Sequence, residues 1–462
     1  MSRTLLLQLS EFVADLKFED LPIEVISKAN DAVFDLIGCY FGALGQKDCR
    51  AILNYAGQHR DPAQAILWGT SHKIPASEAA MVEGFLAYSL EFDDGVSLGG
   101  HWGSSSIPAV IATAERLGKS GKDVILGIVC AYEVGTRISR LYAPNLLAHK
   151  IHFPCAMGAF AAAGGVAKVS GYSAGIIEGG LANGCLSPIG PYSTAVSGAS
   201  IKNMYSGWPN TMGMKMMEFA EMGLYGDSDT FESDNGLGMA YGKEPLTEEL
   251  KASALKSLGT KYMLMESYFK PYPCCRWLHA PLDVLHRIMV RNSGRTIESI
   301  TVAGPEFIHL YDTKLPYNDK IKAQYSIPFT LGAMLLTGEV GLSAFDTEFR
   351  TSMAVGEASG RISIFTDAEL NLAFPNSFSV RLDVYFNDGG RDTLIGGLPW
   401  NPTQPATKLE LIAKFKTLVN GVLPKAEIEE WIYLFLNGLE RETTFIQILE
   451  LLHREHVIGS RN

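Results

Sequence analysis

The chain has 462 residues, 47% of them hydrophobic and 19% charged, and Lys+Arg 39 against Asp+Glu 50 give a formal net charge of −11. That length exceeds one ordinary core and predicts two or three domains, while the composition excludes a disordered chain and the acidic balance argues against nucleic acid or an anionic membrane surface as a partner. Seven cysteines scattered through a long chain read as reduced thiols of a cytoplasmic protein, and no apolar run reaches membrane-spanning length before Gly, Lys or Glu interrupts it.

The opening MSRTLLLQLSEFVADLKFED has an apolar patch too short for a secretory core, and its acidic residues do not suit a transit peptide. From there to about residue 265 the text is helix after helix. Asp20 ahead of Leu21-Pro22 is an N-cap and first-turn signal for a helix through Ile26, Val33 and Ile37. Residues 91–106, EFDDGVSLGGHWGSSS, read as a mobile loop, with the next helix opening at Ile107-Pro108 and stopping at Gly118. Ser120 starts another, and MGAFAAAGGVAKVSG has the small residues of helices that cross at close range.

From about 266 to 400 the texture changes. IESITVAG, GRISIFTDAEL and SFSVRLDVYFNDGG alternate with period two, NDGG marks a hairpin turn, and HAPLDVLHRIMV and YSIPFTLGAMLL are helical. Beyond Pro405 helices return, in LELIAKFKTLV and EIEEWIYLFLNGL. The predicted fold is mainly α: a large all-helical domain formed by residues 1–265 and 401–462, with an α+β domain inserted at 266–400.

Several common chemistries fail on spacing. Glu91, Asp93, Asp94 and His101 carry metal-ligating atoms but match no EF-hand, HExxH or facial-triad pattern, and the adjacent Cys274-Cys275 with His279 lacks the paired CxxC arms of structural zinc. Gly118-Lys119-Ser120 resembles the end of a phosphate loop, but position 113 is Thr where a Walker loop needs Gly. No GxSxG elbow is present. What remains is proton and charge chemistry by His101, His152, Lys202, Lys270, Arg276, His279 and Tyr325. Singly, each has a structural explanation, as a hydrogen-bonded histidine or a solvated cation. Their recurrence at helix entrances, where the helix dipole favours anions, points to a pocket for carboxylates.

The ordered motifs VFDLIGCYFGAL, LEFDD…GH…IPA, AYEVGTRI, HFPCAMGAFAAA, SIKNMYSGWPNTMG, KPYPCCRWLHAPLD and KAQYSIPF resemble the MmgE/PrpD family through most of the chain. The family includes 2-methylcitrate dehydratase, cis-aconitate decarboxylase and iminodisuccinate epimerase. The resemblance implies a helical domain with an inserted α+β lid, a homodimer, and a site between the two domains. It also implies a cofactor-independent, metal-independent lyase or epimerase of a small di- or tricarboxylate, acting by proton transfer at the carbon beside a carboxylate. Dehydration, decarboxylation and epimerisation all remain open. A larger substrate of secondary metabolism, or an inactive binding protein, are the alternatives.

By the same resemblance, His101, His152, Lys202 and Tyr325 are the expected catalytic residues, and Glu91, Asp93, Lys270, Arg276 and His279 the substrate-binding ones. Members commonly carry Asp two residues before the acidic pair, Thr after it, and HPS or HPG at the histidine. This chain has Glu91, Gly95 and His101-Trp102-Gly103.

Overall fold

The computed structural model describes residues 3–187, 190–374 and 377–456. The molecule is mostly helical. Among the helices before residue 222 are α1 (Ile23–Ala43), α2 (Ala76–Tyr88), α3 (Trp102–Leu117), α4 (Gly121–Ala148), α5 (Phe153–Ser170) and α6 (Met204–Glu221). α1 opens at Ile23 with Pro22 at its N-cap position. Asp20, expected as that cap, instead accepts from Lys17 N at 3.0 Å in a preceding 3₁₀ turn. Ser120 and Asp123 close a reciprocal capping box on α4, which satisfies first-turn N–H groups that the helix itself leaves unpaired.

α5 lies at the centre of this body. It is long and apolar enough to cross a membrane, but 78% of it is buried inside the fold, so it serves as a core helix. Its small residues allow close crossings: a Cβ at Gly165 would stand 2.6 Å from Val110 Cγ2, and one at Gly164 2.8 Å from Val134 Cγ2.

α3 begins five residues earlier than the expected Ile107, and the run GSSS forms its first turn. The hydroxyls of Ser105 and Ser106 donate back to His101 O at 2.7 Å and Trp102 O at 2.6 Å, which lets polar residues sit buried in a helix. Pro108, inside the helix, has no N–H for Ser104 O. The Asn210 side chain on α6 repairs the gap, donating to Ser104 O at 2.9 Å while accepting from Ala109 N at 3.0 Å.

Residues after 270 build a second apolar cluster, running from Cys274 to Phe386. Its helices include α7 (His279–Arg291) and α8 (Ile327–Thr337). Its sheet holds β1 (Ile297–Gly304), β2 (Ile362–Thr366), β3 (Ser379–Phe386) and β4 (Arg391–Gly397), in the order β2-β1-β3-β4. β1 runs parallel to β2 and antiparallel to β3, and β3 turns into β4 as a hairpin through Asn387–Gly390. The C-terminal helices α9 (Lys408–Val419) and α10 (Lys425–Asn437) then return to the first cluster. There Phe34 of α1 stacks on Phe415 at 4.3 Å and on Phe435 at 3.9 Å.

Candidate active site

The stretch after α2 is a buried, heavily tethered turn rather than the free loop its glycines suggest. Glu91, Asp93 and Asp94 are all at most 2% exposed. Gly95-Val96 pairs antiparallel with Ser267-Tyr268, and a Cβ on Gly95 would lie 2.5 Å from the Tyr268 hydroxyl, so a larger residue there would have to displace the Tyr268 ring. Asp94 accepts from Gly103 N at 3.0 Å in the first turn of α3, and also from the Tyr132 hydroxyl. Lys414 of α9 donates to Phe92 O at 2.6 Å while pairing with Asp35 at 2.6 Å. Gln324 donates to both Leu90 O and Pro273 O at 2.9 Å, clamping the two parts of the molecule together.

Glu91 is the centre of the charge arrangement. Its backbone sits in the left-handed region at φ 54°, a conformation that costs a non-glycine residue about 1–2 kcal/mol and must be held by its surroundings. The holding groups are cations. Lys202 contacts Glu91 Oε1, and Lys270 lies 3.4 Å from Oε2 and donates to Glu91 O at 3.1 Å. Tyr325 donates to Oε1 at 3.3 Å. Burial, then the neighbouring Lys270, lowers the Lys202 pKa well below the usual lysine range. Burial raises the Tyr325 pKa, keeping it a phenol that can donate.

His101 stands at the N-cap position of α3. Its Nδ1 donates to Asp94 O at 2.8 Å and has Asp93 Oδ2 at 3.3 Å, an arrangement that fixes the tautomer and offers a counter-ion to the imidazolium. Burial disfavours the Asp93 carboxylate, but His101, Lys270 and Ser104, the last at 2.7 Å, outweigh it and hold the pKa below the usual range. Asp94 behaves oppositely: burial, reinforced by Asp93 and Asp35 against the Tyr132 hydrogen bond, raises it to about 7.

His152 caps α5, its N–H bonded to Gly190 O at 2.8 Å. Burial, helped by His101, pushes its imidazole pKa down to about 3, and its Nδ1 has no partner. It is a neutral ring at neutral pH.

These groups meet at a cavity of about 110 Å³, room for a small molecule and not a polymer. Glu91, His101, His152, Lys270, Arg276 and Tyr325 all line it. Arg276 lies over the Tyr268 ring at 4.2 Å and donates to Pro399 O at 2.5 Å; burial lowers its pKa to about 10, which leaves it charged.

Not every expected residue reaches the cavity. Lys202 and Asp93 stand behind Glu91 and His101, and His279 is fully buried behind Arg276. His279 donates through Nε2 to Cys274 O at 3.1 Å and presents Nδ1 to Arg276 at 3.5 Å; burial, Arg276 and Lys270 push its pKa well down. Cys274 and Cys275 are buried free thiols, and all seven cysteines are unbridged. Among the described residues, no group of three or more His, Cys, Asp or Glu side chains is arranged to hold a metal ion.

The structure adds residues that motif reading passed over. Tyr88 packs edge-on against His101 at 5.2 Å, beneath Lys202 at 4.5 Å, and its hydroxyl has no partner. Its one sequence signal was its place three residues before Glu91. Tyr311, Trp277 and Phe307 also line the cavity; Trp277 lies in the KPYPCCRWLH text, and nothing local in the sequence marks the other two.

Residues 7–249 match the MmgE/PrpD N-terminal domain and residues 272–437 the MmgE/PrpD C-terminal domain. The chain is 25% identical over 476 residues to a cis-aconitate decarboxylase of Aspergillus terreus, covering 96% of this chain and 95% of the relative. It is 22% identical over 443 residues to the cis-aconitate decarboxylase of Homo sapiens, covering 91% and 89% respectively. With both of its domains matched in order, the chain belongs to the MmgE/PrpD family.

Proposed function

We propose that this protein is a cofactor-independent lyase or epimerase that moves a proton at the carbon beside a carboxylate of a small acid, with residues 266–400 acting as a lid. The observation that carries this reading is the cavity itself. An Asp93-backed histidine shares with Arg276 and Lys270 one cavity sized for a small acid. Family membership and the names of the relatives support a carboxylate lyase.

In this reading His101 is the proton carrier. Its Nδ1 is committed to Asp94 O, which leaves Nε2 for the substrate. When Nε2 takes a proton from carbon, the electron pair delocalises onto the adjacent carboxylate. Arg276 and Lys270 stabilise the charge that builds there, which is where fixed cations have most effect on a rate. In a decarboxylation the electron pair comes instead from the C–CO2 bond as CO2 leaves, and an imidazolium at His101 delivers the proton to that carbon. An inversion needs the returning proton to come from the opposite face, a role for Tyr325. His152, neutral, hydrogen-bonds the substrate and does not carry charge. Tyr325 donates from the lid.

The test is solvent deuterium exchange into a panel of small carboxylates. Wild-type protein is expected to exchange a carbon-bound hydrogen in at least one of them, and His101→Ala to lose this. No exchange or turnover with any member, or a folded His101→Ala variant at full rate, would overturn the reading.

A further inference from the structure

The lining of the cavity changes character within single steps of the chain. His152 is followed by Phe153-Pro154 and Arg276 by Trp277, so each polar group has an apolar neighbour that also lines the cavity. Leu147, Phe307 and Leu398 add to this apolar share. Leu147 lies in the last turn of α4 and Phe153 opens α5, while Trp277, Phe307 and Leu398 come from residues after 270. Both parts of the molecule therefore contribute to it.

The polar and apolar sets differ in how much surface they leave open. Glu91, His152, Lys270, Arg276 and Tyr325 are buried, whereas Leu147, Phe153, Pro154, Trp277, Phe307 and Leu398 are all half-buried. Six apolar side chains thus gather around one cavity with part of their surface uncovered. Covering such surface is favourable in proportion to its area. Single exposed apolar residues are ordinary, but a set that converges on the cavity of the proton carrier is a surface for a ligand.

This surface is also fixed from behind. Trp277 meets Phe307 edge to face at 5.1 Å and Phe378 at 4.9 Å. Phe307 stacks on Phe374 at 5.2 Å and meets Tyr311 edge to face at 5.6 Å. Rings packed on one another in this way keep their orientation, so a ligand does not have to order them on arrival.

Resting on the carboxylate-lyase reading above, we infer that these six side chains form an apolar subsite, and that the substrate is a small acid bearing a short hydrocarbon arm. The acid end goes to Arg276 and Lys270, and the arm covers Trp277 and Phe307. The inference does not depend on how many carboxylates the substrate carries. A polycarboxylate with no such arm would leave the six side chains uncovered or set a charge against them.

Calorimetric binding to the full-length protein tests this with two matched pairs of acids, succinate against racemic isobutylsuccinate and acetate against 4-methylpentanoate. Within each pair the second acid carries the same added isobutyl group. Wild-type protein is expected to bind the isobutyl acid at least about tenfold more tightly in both pairs, less than full burial of the arm can give. Phe307→Ala removes part of the wall and should reduce both ratios by about threefold or more. A wild-type ratio below about tenfold in either pair would overturn the inference and leave the lyase reading standing. Ratios unmoved in a folded Phe307→Ala protein would do the same. No binding by any of these acids would overturn both. The wild-type ratios need no variant, so a misfolded Phe307→Ala protein does not shield the inference.

Discussion

Lys270 grips Glu91 twice, by the side-chain carboxylate at 3.4 Å and by the main-chain carbonyl at 3.1 Å. One lysine from residues after 266 thus holds both the charge and the left-handed backbone of a residue 179 positions away. Removing it leaves Asp93 and Glu91 short of a cation in a buried site. Lys270→Met is expected to lower stability by about 3–5 kcal/mol, the range for breaking a buried pair. Turnover should fall by about a hundredfold or more, since a charge-stabilising group is lost. Urea denaturation and steady-state kinetics on the folded fraction check the two effects; a loss below about 1 kcal/mol would mean that the pair is not sealed from water.

His101 and Asp93 should separate in kinetics. His101→Ala removes the proton carrier and is expected to cost about 10²- to 10⁴-fold in kcat. Asp93→Asn keeps a hydrogen-bonding partner near the ring but removes the counter-ion, and should cost kcat less, with KM little changed. Equal losses in the two variants would argue that Asp93 itself takes part in the chemistry.

Asn210 offers a test of how α3 tolerates its proline. Asn210→Leu strands Ser104 O and Ala109 N in the core, at about 1–3 kcal/mol for each unsatisfied group. Pro108→Ala in the same background restores a donor for Ser104 O, so the double variant should recover part of the loss. A double-mutant cycle in thermal or chemical denaturation reads the coupling directly. Strict additivity of the two changes would refute the repair.

The pH dependence of stability carries the signature of Asp94. Its folded pKa is about 7 because of burial, against an ordinary value of about 4. Between those values the folded protein holds a proton that the unfolded chain has released. This group's contribution therefore favours the fold at the acid end and declines as pH rises through the window, by up to about 1.4 kcal/mol per unit. His152, pushed down to about 3 by burial, works in the other direction. Between about pH 3 and 6.5 the unfolded chain binds a proton that the folded ring does not, so its contribution is lost as pH falls. Because the two oppose each other, the wild-type profile hides both. The difference between wild type and Asp94→Asn isolates the first, and is expected to favour the variant increasingly from about pH 5 to pH 7.5.

Much of the fold was legible in local text. The strands of the sheet carry period-two alternation, the hairpin turn was spelled NDGG, and α4 announced itself with a capped serine. The start of α3 was not legible, because GSSSIP reads locally as a string of helix breakers. The partner that makes it a helix, Asn210, lies 106 residues away from the carbonyl it serves.

The candidate site divides along the same line. His101, His152, Lys270, Arg276 and Tyr325 were found by their motif text, and all line one cavity. His279 shares that text, but its ring turns inward to a carbonyl of its own segment, a direction that no spacing rule encodes. The linear reading named Lys202 and Lys270, but their convergence on Glu91 depends on a left-handed backbone and on contacts far apart in the chain, which no local text encodes.

The tethers on the turn after α2 have one more consequence, in the order of events during folding. Its partners lie 179 positions along the chain at Lys270, 234 at Gln324 and Tyr325, and 322 at Lys414. Contacts so distant close large loops and form slowly, well after helices that need only their own neighbours. The chemistry of this protein therefore assembles last. After dilution from denaturant, helical circular dichroism should return ahead of enzymatic competence, and the lag between them measures the time the chain takes to bring residues up to 322 positions apart to one turn.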